Sequence, residues 1–221
     1  MAHILAEAVI TLFPNAKPTI GPFIKNGFYY DFDMESTLSD DDLANIEKKM
    51  KEILLEGRDF LKRAVTKKEA SEIFKDNKYK LELINNLDNS DEITLYEQKN
   101  FTDLCKGPHH KSTKDYNASF KITNVSGAYW RGISTNKMLQ RIYATAWYSE
   151  KELRVYLKNL EEAKERNHRR LGTDMGLFLL TDLSAGNVFW KDKGLTLYQN
   201  IEKYIRSEQQ KLNYFEVKTP E

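Results

Sequence analysis

The amino-acid sequence predicts an α+β fold in which helices pack on a mostly antiparallel sheet, and three observations predict it. Helix-like and strand-like stretches are segregated along the chain rather than alternating in βαβ order. The strand-like stretches SFKITNVSGAYW (119–130) and RIYATAWYS (141–149) are rich in aromatic and β-branched residues. Turn signals at Gly21-Pro22, Asn26-Gly27 and Gly107-Pro108 cut the chain into short hairpin-sized pieces.

The elements follow in order. Residues 4–13, ILAEAVITLF, put Leu5, Ala8, Val9 and Leu12 on one helical stripe that Pro14 ends, with His3 on the opposite side. Residues 20–33 read as a hairpin with Tyr30 at its strand end. Ser39 before Asp40, Asp41 and Asp42 is a helix start, and Leu43, Ile46, Met50 and Ile53 hold helical spacing as far as Gly57. A shorter helix is expected over Lys67–Phe74. YKLELI (79–84), EITLYEQ (92–98) and FTDLC (101–105) then read as strand material leading into the Gly107-Pro108 turn. From Ser149, Leu153, Tyr156, Leu157, Leu160 and Ala163 form a stripe running into the cationic KERNHRR at 164–170, a connector helix. Another helix is expected from Leu195 to Leu212. The domain boundaries expected from this change of character are 1–148, 149–170 and 171–221.

Composition narrows the function classes. With 221 residues, 40% apolar and 12% aromatic, the chain is globular and long enough for one domain plus part of another. Thirty-four Lys and Arg against 33 Asp and Glu give no overall basic field, so any RNA contact must come from a local patch. The single cysteine, Cys105, excludes an internal disulfide framework and fits a reducing compartment, so a cytoplasmic location is expected. No run approaches the roughly 18 apolar residues of a membrane span, and the N-terminus lacks the order of a signal peptide.

The richest chemistry lies in Asp103-Leu104-Cys105-Lys106-Gly107-Pro108-His109, a carboxylate, a thiol and an imidazole gathered around a turn. Cys105 and His109 have a C-x-x-x-H spacing that can chelate a soft divalent metal, and His3 can supply a third ligand, leaving an open position for water. Against this stand plainer readings: Cys105 as a packed core side chain, Lys80 as a surface strand lysine, Tyr30 as a core aromatic and Asp103 as a turn cap. His110 receives no role. His168 reads as a solvated helix end, and the charges at 161–170 as a solvated face or, alternatively, a contact for RNA phosphates.

The motifs HILAEAV at 3, IGPFIKNGFYYDFD at 20, YKLELI at 79, FTDLCKGPHH at 101, SGAYWRG at 126, NKMLQRIYATAW at 136 and NHRRLG at 167 resemble, in the same order, blocks of bacterial threonyl-tRNA synthetases. A more distant similarity links this region to alanyl-tRNA editing domains. The resemblance implies the fold of the family's editing (second additional) domain, then a linker helix and the start of a class II core. EKYIRSEQQKLNYFEVKTPE at the end resembles class II motif 1, with Pro220 as its proline. It implies post-transfer editing, hydrolysis of the ester joining serine to the terminal adenosine of threonine tRNA. Serine lacks only threonine's methyl, and one methyl discriminates by only about 1–3 kcal/mol, so a second hydrolytic sieve is needed.

Carried onto this sequence, the resemblance makes Lys80, Asp103 and His109 catalytic and His3, Tyr30 and Cys105 substrate-binding. Lys80 and Asp103 would orient the water and the ribose, while His109 and Cys105 would contact serine. The family pairs two histidines one helical turn apart. The partner of His3 is expected before Met1, with Glu7 either filling in or facing solvent. No cofactor is implied for editing; zinc on His3, Cys105 and His109, as in the alanyl relatives, is the alternative. ATP, magnesium and a catalytic zinc belong to the full-length enzyme, which is expected to be a homodimer, and aminoacylation is not expected from this stretch. The implied partner is the 3′ end of threonine tRNA carrying serine, with no membrane. A tRNA-binding appendage without hydrolysis, or a metal hydrolase for another small ester, are the competing classes.

Overall fold

The computed structural model describes residues 1–88, 92–99, 101–115, 118–184 and 186–220. They form two compact units, Met1–Val155 and Tyr156–Glu221.

The first unit opens with α1 (Ala2–Leu12), β1 (Lys17–Pro18), β2 (Phe23–Ile24) and β3 (Gly27–Asp33). Then come α2 (Asp40–Leu55), β4 (Leu61–Val65), α3 (Lys67–Ile73) and α4 (Lys78–Asn85). The strands β5 (Ile93–Gln98), β6 (Phe101–Leu104), β7 (Ser119–Tyr129) and β8 (Met138–Trp147) follow, and α5 (Glu150–Glu165) crosses the boundary between the units. β1, β3, β8 and β7 lie side by side in one sheet with β2 also paired to β3, while β4, β5 and β6 make a second; every pairing is antiparallel, as the sequence predicts.

Local chemistry accounts for most of these elements. Ser39 and Asp42 cap α2 reciprocally: the Ser39 hydroxyl accepts from the Asp42 N–H at 3.2 Å, and the Ser39 N–H donates to the Asp42 carboxylate at 2.8 Å. Gly57, at φ +65°, lets the chain leave the helix. Thr66 and Glu69 repeat the same box on α3. The main core lies between α1, α2 and the larger sheet, where Leu5, Val9, Ile46 and Met50 meet Tyr30, Phe32 and Ile142. A smaller core joins Ala70, Phe74 and Ile84 to Ile93 and Leu95.

Four local expectations are corrected. YKLELI is not a strand but α4, because the Asn77 side chain accepts from the Tyr79 and Lys80 N–H groups and caps a helix there. Tyr30 lies in the middle of β3, opposite Ile142 of β8, rather than at a strand end. The far side of α1 is not solvated: His3 and Glu7 are buried there, whereas Leu12 of the supposed core stripe is exposed. Finally, α5 does not run through 170. Asn167 accepts from the Arg169 N–H at 2.9 Å and caps a new helix, α6 (His168–Asp174), so His168 opens a helix instead of closing one.

In the second unit, β9 (Phe178–Leu179) pairs antiparallel with β10 (Phe189–Trp190), and α7 (Asp192–Lys211) follows. α7 starts three residues before the expected Leu195. Gly194 is required there, because a Cβ would lie 1.8 Å from the Leu177 carbonyl oxygen. Among the described residues, no helix is long and apolar enough to cross a membrane.

Candidate active site

The site is assembled from four separate segments of the first unit. α1 supplies His3, β3 supplies Tyr30, the first turn of α4 supplies Lys80, and β6 with the bend after it supplies Asp103, Cys105 and His109. All six sequence-predicted site residues therefore converge.

Its inner part is a buried polar knot. Asp103, 2% exposed, accepts from the Tyr30 hydroxyl at 2.6 Å and from the Leu104 N–H at 2.8 Å, and it is ion-paired with the equally buried Lys80. Lys80 also donates to the Tyr30 oxygen at 3.2 Å. A buried ammonium is tolerated because a carboxylate faces it. Burial pushes the Asp103 carboxyl up, but the Lys80 ammonium and His3 outweigh that and hold it below its ordinary range, so it is ionised. Burial and the adjacent Asp103 raise the Tyr30 phenol well above its usual value, which makes it a neutral donor.

His3 sits at the edge of this knot. Its Nε2 lies 3.4 Å from Asp103 Oδ2, and its Nδ1 is buried with no hydrogen-bond partner. Burial lowers the imidazole to about 4 despite the opposing charge of Asp103, so the ring is neutral at physiological pH. Because Asp103 Oδ2 lies beside Nε2, the unpartnered Nδ1 is the ring nitrogen left for a proton or a ligand.

The bend after β6 brings up the remaining groups. Gly107 has φ +71°, and a Cβ there would lie 2.1 Å from the Tyr96 hydroxyl oxygen, so the turn needs glycine. The Gly107-Pro108 peptide is cis. The His109 ring packs 4.6 Å from His3 and 4.2 Å from Tyr96, centroid to centroid. Cys105 is half-buried rather than a core side chain; it accepts from the Gly107 N–H at 3.4 Å, and burial pushes its thiol up. Burial likewise lowers His109.

Ligand atoms of His3, Cys105 and His109 all lie within 4.8 Å of one another. Bonds of roughly 2.0–2.3 Å to a tetrahedral zinc would draw them closer. The donor set, one sulfur and two imidazoles, and the unpartnered His3 Nδ1 fit such an ion.

Two adjoining hollows share His3, Gly21 and Cys105. The outer cleft, about 470 Å³, is walled by Phe60, Pro108, His109, His110 and Tyr148. The inner lobe, about 320 Å³, reaches Thr19, Tyr30, Lys80 and Asp103. A Cβ on Gly21 would overlap the Tyr30 ring at 2.2 Å, which explains a glycine where both hollows meet.

Sequence reasoning missed the aromatic walls and one polar group. His110, given no role, stands on the rim of the outer cleft. Glu7 does not face solvent: at 6% exposure it is ion-paired with Arg58 and accepts from Gln98, because the helix side carrying it is covered by those residues. Its position one turn after His3 was the available signal.

Comparison with known proteins agrees with the motif resemblance. The family model described as the threonyl and alanyl tRNA synthetase second additional domain matches residues 93–143, which hold Asp103, Cys105 and His109. A threonine–tRNA ligase of Wolbachia pipientis subsp. Culex pipiens is 49% identical over 221 residues, 99% of this chain and 35% of the relative. Those of Ehrlichia chaffeensis and Borrelia duttonii are each 48% identical, over 99% and 100% of this chain and 35% and 38% of theirs. The chain thus spans about a third of the length of the curated relatives it matches.

Proposed function

Because this chain is a relative of the threonyl-tRNA synthetases over its whole length, we propose that it carries their proofreading step: hydrolysis of serine from mischarged threonine tRNA. Residues 1–148 would be the editing domain, 149–170 a linker, and 171–221 the start of the class II aminoacylation domain. The observation that carries the reading is the convergence of His3, Tyr30, Lys80, Asp103, Cys105 and His109 on one two-lobed hollow.

The chemistry follows from which groups are already engaged. Both Asp103 oxygens are taken, so its part is to hold Lys80 and to direct His3. Neutral His3 takes a proton from water through Nδ1 as the water oxygen attacks the ester carbonyl. His3 hands that proton on to the ribose oxygen as the ester C–O bond breaks, yielding free serine and tRNA with the imidazole neutral again. Lys80 donates two hydrogen bonds within the knot, which leaves a third N–H for the ribose or the developing oxyanion. Cys105 and His109 line the wall that contacts serine, and a threonine methyl is rejected by its bulk against that wall.

In this reading no cofactor takes part. Zinc on His3, Cys105 and His109 is the second reading, favoured by their clustering, and it would polarise the ester carbonyl. ATP, magnesium and a catalytic zinc would serve aminoacylation in the longer enzyme, which we take to be a cytoplasmic homodimer. Threonine tRNA is the partner, held by local charge since the chain's net charge is only +1.

The test is deacylation of serine-charged against threonine-charged threonine tRNA, with and without a chelator, on this chain and on one extended at its N-terminus. Serine should be released at least roughly 10-fold faster than threonine. Failure of both proteins to hydrolyse either ester sinks the reading, leaving a tRNA-binding appendage. Loss of activity on chelation selects the metal-dependent route.

A further inference from the structure

Behind the cleft, and lining neither hollow, lies a buried ion pair that the proposed chemistry does not use. Glu7 stands one turn after His3 on α1. One of its oxygens pairs with Arg58, whose side chain is 11% exposed, and the other accepts from Gln98 Nε2 at 2.5 Å. The Arg58 guanidinium also pairs with the exposed Glu56 carboxylate, its Nε donating at 2.9 Å. Gln98 is 1% exposed and ends β5.

Arg58 reaches in the other direction through its backbone. Its N–H donates to the Thr113 hydroxyl at 2.8 Å, and its carbonyl accepts from the Thr113 N–H at 2.8 Å and the Ser112 hydroxyl at 3.0 Å. Two residues on, the Phe60 N–H donates to the Lys111 carbonyl at 2.8 Å. The stretch so pinned follows His109 within four residues. Glu7 and Arg58 therefore join the segment bearing His3 to the segment bearing His109.

A buried ion pair is often a poor stabiliser compared with apolar side chains of the same volume, and in some proteins it serves instead to specify geometry. The geometry at stake here is the 4.6 Å approach of the His3 and His109 rings. We propose that Glu7 and Arg58 are a positioning pair that holds His3 against His109 and so sets the rate of hydrolysis without touching substrate. The proposal rests on the deacylase reading of the cleft.

The experiment measures kcat and KM on serine-charged threonine tRNA, and the nuclear Overhauser contact between the His3 and His109 ring protons, for this chain and for Glu7→Gln, Arg58→Met and Arg58→Lys. Glu7→Gln and Arg58→Met should lower kcat roughly 10- to 100-fold, the scale of a 1 Å misplacement, with KM within about twofold and the ring contact weakened. Arg58→Lys should recover most of the loss. Folded variants with the parent kcat and the parent ring contact overturn the proposal. So does an equal fall in Arg58→Lys and Arg58→Met. If Glu7→Gln does not fold, Glu7→Asp keeps the charge with a shorter reach; it should lower kcat and weaken the contact, and parental values for both overturn the pair's role. If neither the parent nor its N-terminally extended form releases serine, the deacylase reading fails, and the ring contact alone still decides whether the pair sets the His3–His109 spacing.

Discussion

His3 shows how burial turns an ordinary, readily protonated histidine into one that stays neutral. In the unfolded chain its imidazole protonates near 6.5, whereas burial against Phe101, Tyr96 and His109 lowers it to about 4 in the fold. The folded state therefore declines a proton that the unfolded state accepts, so stability falls as pH drops from about 6.5 to 4 and levels off below. The gap of about 2.5 on the pH scale, at about 1.4 kcal/mol each, corresponds to about 3 kcal/mol. Asp103 acts at lower pH: its depressed folded value means that its contribution is present above 3.8 and lost only as pH falls through that lower value. Urea denaturation of metal-free protein across pH 4 to 7 should show the slope, and His3→Gln should flatten it, with the remainder shared by His109 and the Met1 amine, both lowered by burial, and toward pH 4 by Glu56 and Glu69, which hydrogen bonds lower. An unaltered slope in His3→Gln would mean that the ring is not buried as described.

At the scale of the element, α4 decides where the buried ammonium points. Its sequence misleads because Tyr79, Leu81 and Leu83 alternate with Lys80 and Glu82, imitating the period of a strand. The helix wins through Asn77, whose side-chain oxygen caps the first turn while its amide donates to the Pro18 carbonyl at 2.8 Å. Tertiary contacts then use both sides: Tyr79 packs on Trp130 and Leu139, and Ile84 enters the smaller core. Removing the cap with Asn77→Ala should destabilise by about 1–2 kcal/mol in urea titration and slow serine release by loosening Lys80. Asn77→Asp, which keeps the capping oxygen, should regain most of the stability; if it behaves like alanine, the cap is not what holds α4. α2, by contrast, was legible from Ser39 and the acids that follow it, and α3 carries the same kind of box in Thr66 and Glu69, because such caps are entirely local.

On the scale of the whole molecule, the candidate site and its supporting cores lie within Met1–Val155, and the residues from Tyr156 on form a unit of their own. A chain ending at Arg166, which keeps α5 whole, should unfold in one cooperative step and release serine at the parent rate; a loss of more than about tenfold, or a failure to fold, would show that the site depends on the second unit. The sequence by itself determined what short-range chemistry can specify: the α+β class, the antiparallel hairpins, the helices α2 and α3, and a motif set that points to one enzyme family. It also named all six groups of the site, though as separate points along the chain. Only the tertiary structure decided that Lys80 is buried against Asp103 and Tyr30, that His3 meets His109, and that Glu7 turns inward to Arg58. The physical reason is distance along the chain: a buried charge is stable only beside its partner, and those partners are brought together by strand register and helix packing, which no local pattern of residues encodes.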